Sequence, residues 1–229
     1  EQFSAQDSGT LSIATTHTQA RYVLPPSVAR LREAYPKVNV SLHQTTPDQV
    51  ARMVIDEVAD IGMATESLAD YPELVTLPCY EWQHVLVLPP GHPLAQHERI
   101  DLDDIAHEPL ITYHPSFTGR AKIDAAFAAR RLQPRIALEA IDSDVIKTYV
   151  RLGLGVGIVA EMAVKGELAG DLVVRPVGHL FGQSVARVAF KRGAYLRNFV
   201  YRFAELLSDR LTRDLVARAM TGQVNDYEL

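Results

Sequence analysis

Residues 74–88 read LVTLPCYEWQHVLVL. Two apolar, extended runs are joined across residues 80–84, and together they exceed the roughly 5–6 residues of an ordinary strand. The join therefore reads as a crossing between two domains. The chain on either side has to supply an α/β unit for each.

Upstream, residues 10–14 are rich in β-formers, and Leu24, Val28, Leu31 and Tyr35 then recur at the spacing of one helical face. Pro25 and Pro26 either kink that helix or restart it, because proline donates no N–H and its ring clashes with the preceding turn. The stretch VNVSLHQ alternates as a strand does. Thr46-Pro47-Asp48-Gln49 has capping-box order with proline at the first helical position. The helix it opens carries Val50, Val54 and Val58 inward and runs to Asp60, after which IGMAT is a short strand. This βαβαβ order predicts a doubly wound sheet with right-handed crossovers, whose ligands lie outside the carboxyl ends of the strands. Those ends are TTHTQ, residues 15–19, and TES, residues 65–67.

Downstream the alternation repeats. DLDDIA reads as a short helix, PLITY as a strand, and residues 118–131 as a helix with Ile123, Ala126 and Phe127 inward. RIALEAI is a strand, Ser143 caps a helix carrying Val145, Tyr149 and Val150, and VGIVA is a strand after Gly153. SVARVAFKR alternates again and leads to a long amphipathic helix through Leu196, Phe199, Phe203 and Leu206, with room to continue past Leu211. The expected architecture is α/β: two doubly wound α/β subdomains with an interdomain cleft. Subdomain I takes residues 8–82 and 185–229, and subdomain II residues 83–184. Clefts between domains are the default place for a small ligand.

Composition narrows the function. With 23 Lys and Arg against 28 Asp and Glu, the net charge is -5 and the pI about 5.9, so the chain has no basic field to attract nucleic acid and should bind DNA poorly on its own. No apolar run approaches the roughly 20 residues of a membrane span, and the opening EQFSAQDSG lacks the basic-then-apolar order of a signal peptide. A cytoplasmic location and no membrane partner are expected. The single cysteine, Cys79, cannot form an internal disulfide, and scattered histidines without ligand spacing predict no metal site and no cofactor.

Several motifs invite chemistry and are better explained by structure. RLGLGVGIV suggests a dinucleotide loop, but that fingerprint needs strand, glycines, then helix, and here the helix comes first. Gly153 ends the helix, while Gly155 and Gly157 let the next strand pack closely. Cys79 and His84 are five residues apart on an extended chain, so their side chains face opposite ways and do not form a nucleophile and base. Asp142 and Asp144 stand at a helix start, where the dipole favours them without any catalytic role. No catalytic residue is expected.

The mouths of the helices remain. Thr16, Thr18 and Gln19 stand at the first, Thr65 follows the third strand, and Thr118 opens a helix in the second domain. One threonine at each helix start is explained by capping, worth about 1 kcal/mol. The excess at TTHTQ is not. Neutral donors at helix N-termini can instead hold an anion, and such a site favours an acceptor-only guest like sulfate. A protonated phosphate would also want an acceptor, which only Glu66 offers nearby. The residues by themselves leave both readings, capping and anion binding, open.

IATTHTQARYVLP, IGMATESL, LPCYEW, FTGR and DVIKTYVRLGLGVG, taken together and in this order, closely resemble the effector-binding part of the LysR-type transcriptional regulators, in particular those of sulfur assimilation. The resemblance runs from Gly9 to the C-terminal helix. It implies a fold similar to periplasmic binding proteins with an anion such as sulfate in the cleft, held by Thr16, Thr18, Gln19, Thr65 and Thr118, with Trp82 at the crossing. It also implies N-acetylserine, formed from O-acetylserine, as inducer, with sulfide or thiosulfate opposing it. In such regulators this part forms a homodimer, the full-length protein a homotetramer, and DNA is bound only through an N-terminal winged helix-turn-helix absent from the residues given. Two other classes fit the cleft: a transport-type solute-binding protein, disfavoured by the lack of a signal peptide, and an enzyme on a small anion, disfavoured by the lack of a base or metal.

Overall fold

A computed structural model describes residues 7–222. The chain forms two compact units, one from the residues up to Glu81 together with those from Val185 onward, the other Trp82–Ser184. Residues 223–229 of the expected subdomain I and most of the opening EQFSAQDSG, residues 1–6, lie outside the described residues. No helix among the described residues is long and apolar enough to cross a membrane.

The first unit opens with β1 (Ser8–Thr15), a π-helical turn Gln19–Val23, α1 (Pro25–Ala34), β2 (Lys37–Gln44), α2 (Pro47–Ile55), β3 (Ile61–Ala64) and the start of β4 (Leu74–Leu88). The strands β2, β1 and β3 are parallel neighbours in that order, so the chain reverses its direction of winding between β1 and β3. The second unit follows with α3 (Leu102–Ala106), β5 (Leu110–Tyr113), α4 (Thr118–Ala129), β6 (Ile136–Ala140), α5 (Ser143–Arg151), β7 (Val156–Ala160), β8 (Val173–Pro176) and α6 (Gly178–Phe181). Strand β9 (Gln183–Lys191) carries the chain back, pairs antiparallel with β3 and neighbours β4, and α7 (Asn198–Leu207) and α8 (Arg213–Met220) close the first unit.

Each sheet is covered on both faces, as doubly wound sheets require. In the first unit Leu24, just before α1, Leu31 of α1, and Phe199 and Phe203 of α7 pack on Leu11, Ile13, Met63 and Phe190, while Val50 and Val54 of α2 meet Ala14, Ala64 and Ala189 on the other face. In the second, the strand order is β8-β4-β7-β5-β6. Ile123 and Phe127 of α4 lie against Leu86, Leu110 and Ile158, and Ile146 and Val150 of α5 against Val87, Ile111 and Val159.

Several expectations are corrected. Residues 74–88 form one continuous strand of 15 residues rather than two runs with a join, because each half has its own neighbours in its own sheet. Helix α2 stops at Ile55: Glu57 takes a left-handed φ of 58°, and Val58, expected inward, is exposed. Thr46 is its N-cap residue but makes no side-chain cap bond, so the capping box is not formed. Asp142, not Ser143, caps α5, accepting from the Val145 N–H at 2.8 Å; Val145 is exposed and the inward face is Ile146 and Val150. The long C-terminal helix is two, broken after Leu207 and restarted by Thr212, whose hydroxyl accepts from the Leu215 N–H.

The glycine readings hold. Gly153 has a φ of 78° just past α5, and a side chain at Gly155 would place its first carbon 2.4 Å from the Pro109 carbonyl oxygen. That close approach delivers the second-unit chain into β7, where Val156 donates to the same carbonyl at 2.9 Å. The loop is a packing device and not a phosphate cradle.

Candidate functional site

The carboxyl ends of β1 and β3 flank the reversal in the winding of the first sheet. Thr16, Thr18 and Gln19 follow β1 and Thr65 follows β3; since Thr15 is in register with Met63, the two loops leave from adjacent strand ends. Open α/β sheets present their ligand crevice at such a switch point.

Local backbone chemistry explains how these side chains are held. The Thr15 hydroxyl donates to the Met63 carbonyl at 2.9 Å, tying the two strand ends together. The Thr16 carbonyl accepts from Ala20, and the Gln19 carbonyl from the Leu24 N–H, one residue further on than in an α-helix. The wider π register ends where Pro25 and Pro26, which have no N–H to continue the ladder, restart the chain as α1. Thr16 and Gln19 are buried, and neither Thr18 nor Thr65 makes a side-chain cap bond to its helical segment. The Thr65 hydroxyl lies 3.4 Å from that of Ser67. His17 Nδ1 is 3.2 Å from Gln44 Oε1 at the end of the neighbouring β2.

Gln19 is held by a residue that sequence reasoning passed over. The Tyr80 hydroxyl, on β4, donates to the Gln19 side-chain oxygen. Burial pushes the Tyr80 phenol well above its ordinary range, so it keeps its proton and remains a donor at neutral pH. No pattern in the sequence links positions 61 residues apart, and the contact exists only because β9 brings β4 into the sheet. Glu66, the nearby carboxylate, accepts the Val185 N–H at 2.7 Å through one oxygen, so that oxygen is committed to the protein.

In the second unit Thr118 is the first residue of α4, with Phe117 in the capping position. The helix approaches β4 closely: a carbon added at Gly119 would lie 2.8 Å from His84 Nε2. His84 is fully buried, with its ring 4.8 Å from that of Trp82 in an edge-on contact. The Trp82 indole nitrogen is buried and has no hydrogen-bond partner among the described residues. Asp142 and Asp144 serve the start of α5, Asp144 pairing with Lys147 at 3.3 Å.

Cys79 sits in the core of the first unit, where burial pushes its thiol up to about 12. Only a thiolate alkylates readily. Native protein at pH 8 is therefore expected to take up iodoacetamide at Cys79 far more slowly than protein in denaturant; equal rates would place the thiol outside the core.

Polar loops at the switch point of one α/β unit, joined by β4 and β9 to a second α/β unit, define a small-ligand-binding domain. Residues 4–212 match the model of the LysR substrate binding domain. The chain is 55% identical over 227 residues to the HTH-type transcriptional regulator CysB of Burkholderia cenocepacia, covering 99% of this chain and 72% of the relative. It is 45% identical over 230 residues to the regulator Cbl of Escherichia coli, covering 99% and 73%. A crystal structure of the cofactor-binding domain of a Cbl regulator superposes with a TM-score of 0.88 at 45% identity, over 93% of this chain and 94% of that one. The chain belongs to the LysR substrate-binding domains, as the effector-binding domain of a LysR-type transcriptional regulator in the group of CysB and Cbl. Its relatives are regulators and not enzymes, and the two-subdomain fold of the periplasmic binding proteins is common to such domains.

Proposed function

We propose that this domain senses the sulfur supply for a cytoplasmic regulator of sulfur assimilation and cysteine biosynthesis. Its ligand is a small anion: sulfate, or an effector of the acetylserine class such as N-acetylserine or O-acetylserine, opposed by thiosulfate or sulfide. Thr16, Thr18, Gln19 and Thr65 bind it from the first unit, and Thr118 and Trp82 contribute from the second. The 55% identity to CysB supports the choice of pathway.

The observation that carries the reading is the state of the donors at the switch point. The Thr16 hydroxyl and the Gln19 amide nitrogen have no partner among the described residues, although both residues are buried. Neither atom is fully enclosed by protein, so both donors stand open to a guest at the switch point. An acceptor-only anion would satisfy them without giving up a proton. The Trp82 N–H has the same need.

Ligand acts by shifting the balance between conformations, and only to the extent that it binds one more tightly than the other. DNA is reached through a separate N-terminal domain, and the domain works as a homodimer within a homotetramer. Trp82 is the only tryptophan, so its fluorescence reports on the site directly. Titration with sulfate and with N-acetylserine is expected to change that emission saturably; calorimetric saturation with an unchanged spectrum would remove Trp82 from the site, and no calorimetric binding of either would overturn the reading.

A further inference from the structure

We infer that Tyr80 is a positioning residue that sets the polarity of the anion site through Gln19. The inference rests on the assignment of Gln19 to the effector site and concerns a residue outside that set. A carboxamide presents an acceptor at one end and two donors at the other, and its two ends are close to interchangeable in shape. Left free, a glutamine at this position could offer either its oxygen, which repels an anion, or its NH2, which binds one. The Tyr80 hydroxyl donates to the Gln19 oxygen. That bond uses up the acceptor end and leaves the amide nitrogen as the end available to a guest.

Three observations support this division of labour. Gln19 is 3% exposed, so bulk water has little part in orienting its carboxamide. Its oxygen has a partner, whereas its nitrogen has none among the described residues and is not fully enclosed by protein. Tyr80 stands on β4 one residue before Glu81, with Cys79 beside it in the core, and its ring packs against the first-unit core, so the hydroxyl is delivered from a rigid strand. Rigid delivery of the donor fixes the amide before the ligand arrives, which removes from binding the entropy of ordering that side chain.

A double-mutant cycle on the chain, read by calorimetric titration with sodium sulfate, tests this. Gln19→Ala is expected to weaken sulfate binding about 10- to 150-fold, the loss of a hydrogen bond to a charged group. Tyr80→Phe keeps the ring and is expected to weaken it about 2- to 12-fold, the ordering of one side chain. Tyr80→Phe added to Gln19→Ala should do nothing further. The side-chain amide signal of Gln19 in 15N spectra, identified by its loss in Gln19→Ala, should move on Tyr80→Phe before any sulfate is added; a role in packing alone would shift the melting temperature and leave the cycle additive. Additive losses, or wild-type affinity in Tyr80→Phe, would overturn the role of Tyr80 while leaving the anion site in place. Wild-type affinity in Gln19→Ala would instead remove Gln19 from the site, and Tyr80 with it.

Discussion

Phe203→Ala is expected to destabilise the protein by about 3–5 kcal/mol, the usual range for removing a buried phenylalanine. Phe203 is fully buried on the inner face of α7. It shares a cluster with Phe199 of the same helix, Leu31 of α1, and Phe190 and Met63 of the sheet. The face is held by elements far apart in sequence, and none can close over a void without moving a helix that also packs elsewhere. The cost therefore includes the lost transfer energy and most of the cavity. In a chain of this size it amounts to a fall in Tm of roughly 6–20 °C, at about 2–4 °C per kcal/mol. Urea denaturation checks it: the midpoint should drop with the slope unchanged. The control is Leu152→Ala, where a side chain 67% exposed should cost within about 0.5 kcal/mol. A Phe203 variant as stable as that control would mean that α7 is not fixed on the sheet.

Thr18→Ala carries the second large effect, and it falls on binding. If the loop after β1 holds the anion, the variant should lose about 1–3 kcal/mol of sulfate affinity, up to roughly 150-fold. No loss of capping should appear in its melting temperature without ligand, because the Thr18 side chain makes no cap bond to the π-helical turn. Capping alone would reverse the pattern, with about 0.5–2 kcal/mol of stability lost whether or not sulfate is present. Thr118→Ala supplies a cross-check from the start of α4. It should weaken the same sulfate if the second unit contributes to binding. Calorimetry beside melts in sulfate-free buffer separates the cases, and unaltered affinity in both variants would sink the proposed site.

The strands and most helices were legible because their signals are local. The inward faces of α1 and α4, the proline start of α2 and the glycine end of α5 each depend on residues within one or two turns. The doubly wound class followed from the order of elements, and the family from five long motifs. The errors lie where tertiary partners decide. Val58 continues a helical period, yet α2 has already ended at Ile55. Asp142 and Ser143 compete as caps, and the sequence cannot say that Ser143 is taken by the Tyr113 hydroxyl at 2.5 Å. The break after Leu207 has no proline or glycine to announce it. At the candidate site the threonines and Gln19 were visible as an excess of donors, but the π register and the hand of Tyr80 on Gln19 arise only when β1 and β4 share a sheet.

The path of β4 and β9 has a bearing on how the chain is made. The first unit is discontinuous: β9, α7 and α8, which complete its sheet and cover it, follow the whole of Trp82–Ser184. On a ribosome adding about 5–20 residues per second, those hundred or so residues take roughly 5–20 s. During that interval β3 lacks its antiparallel neighbour, and Leu11, Ile13 and Met63 have α1 but not α7 to cover them. The second unit, contiguous in sequence, can finish in the same interval. Nascent chains halted before Val185 thus present an unclosed sheet edge to whatever binds such edges, and of the two units the one begun first is completed last.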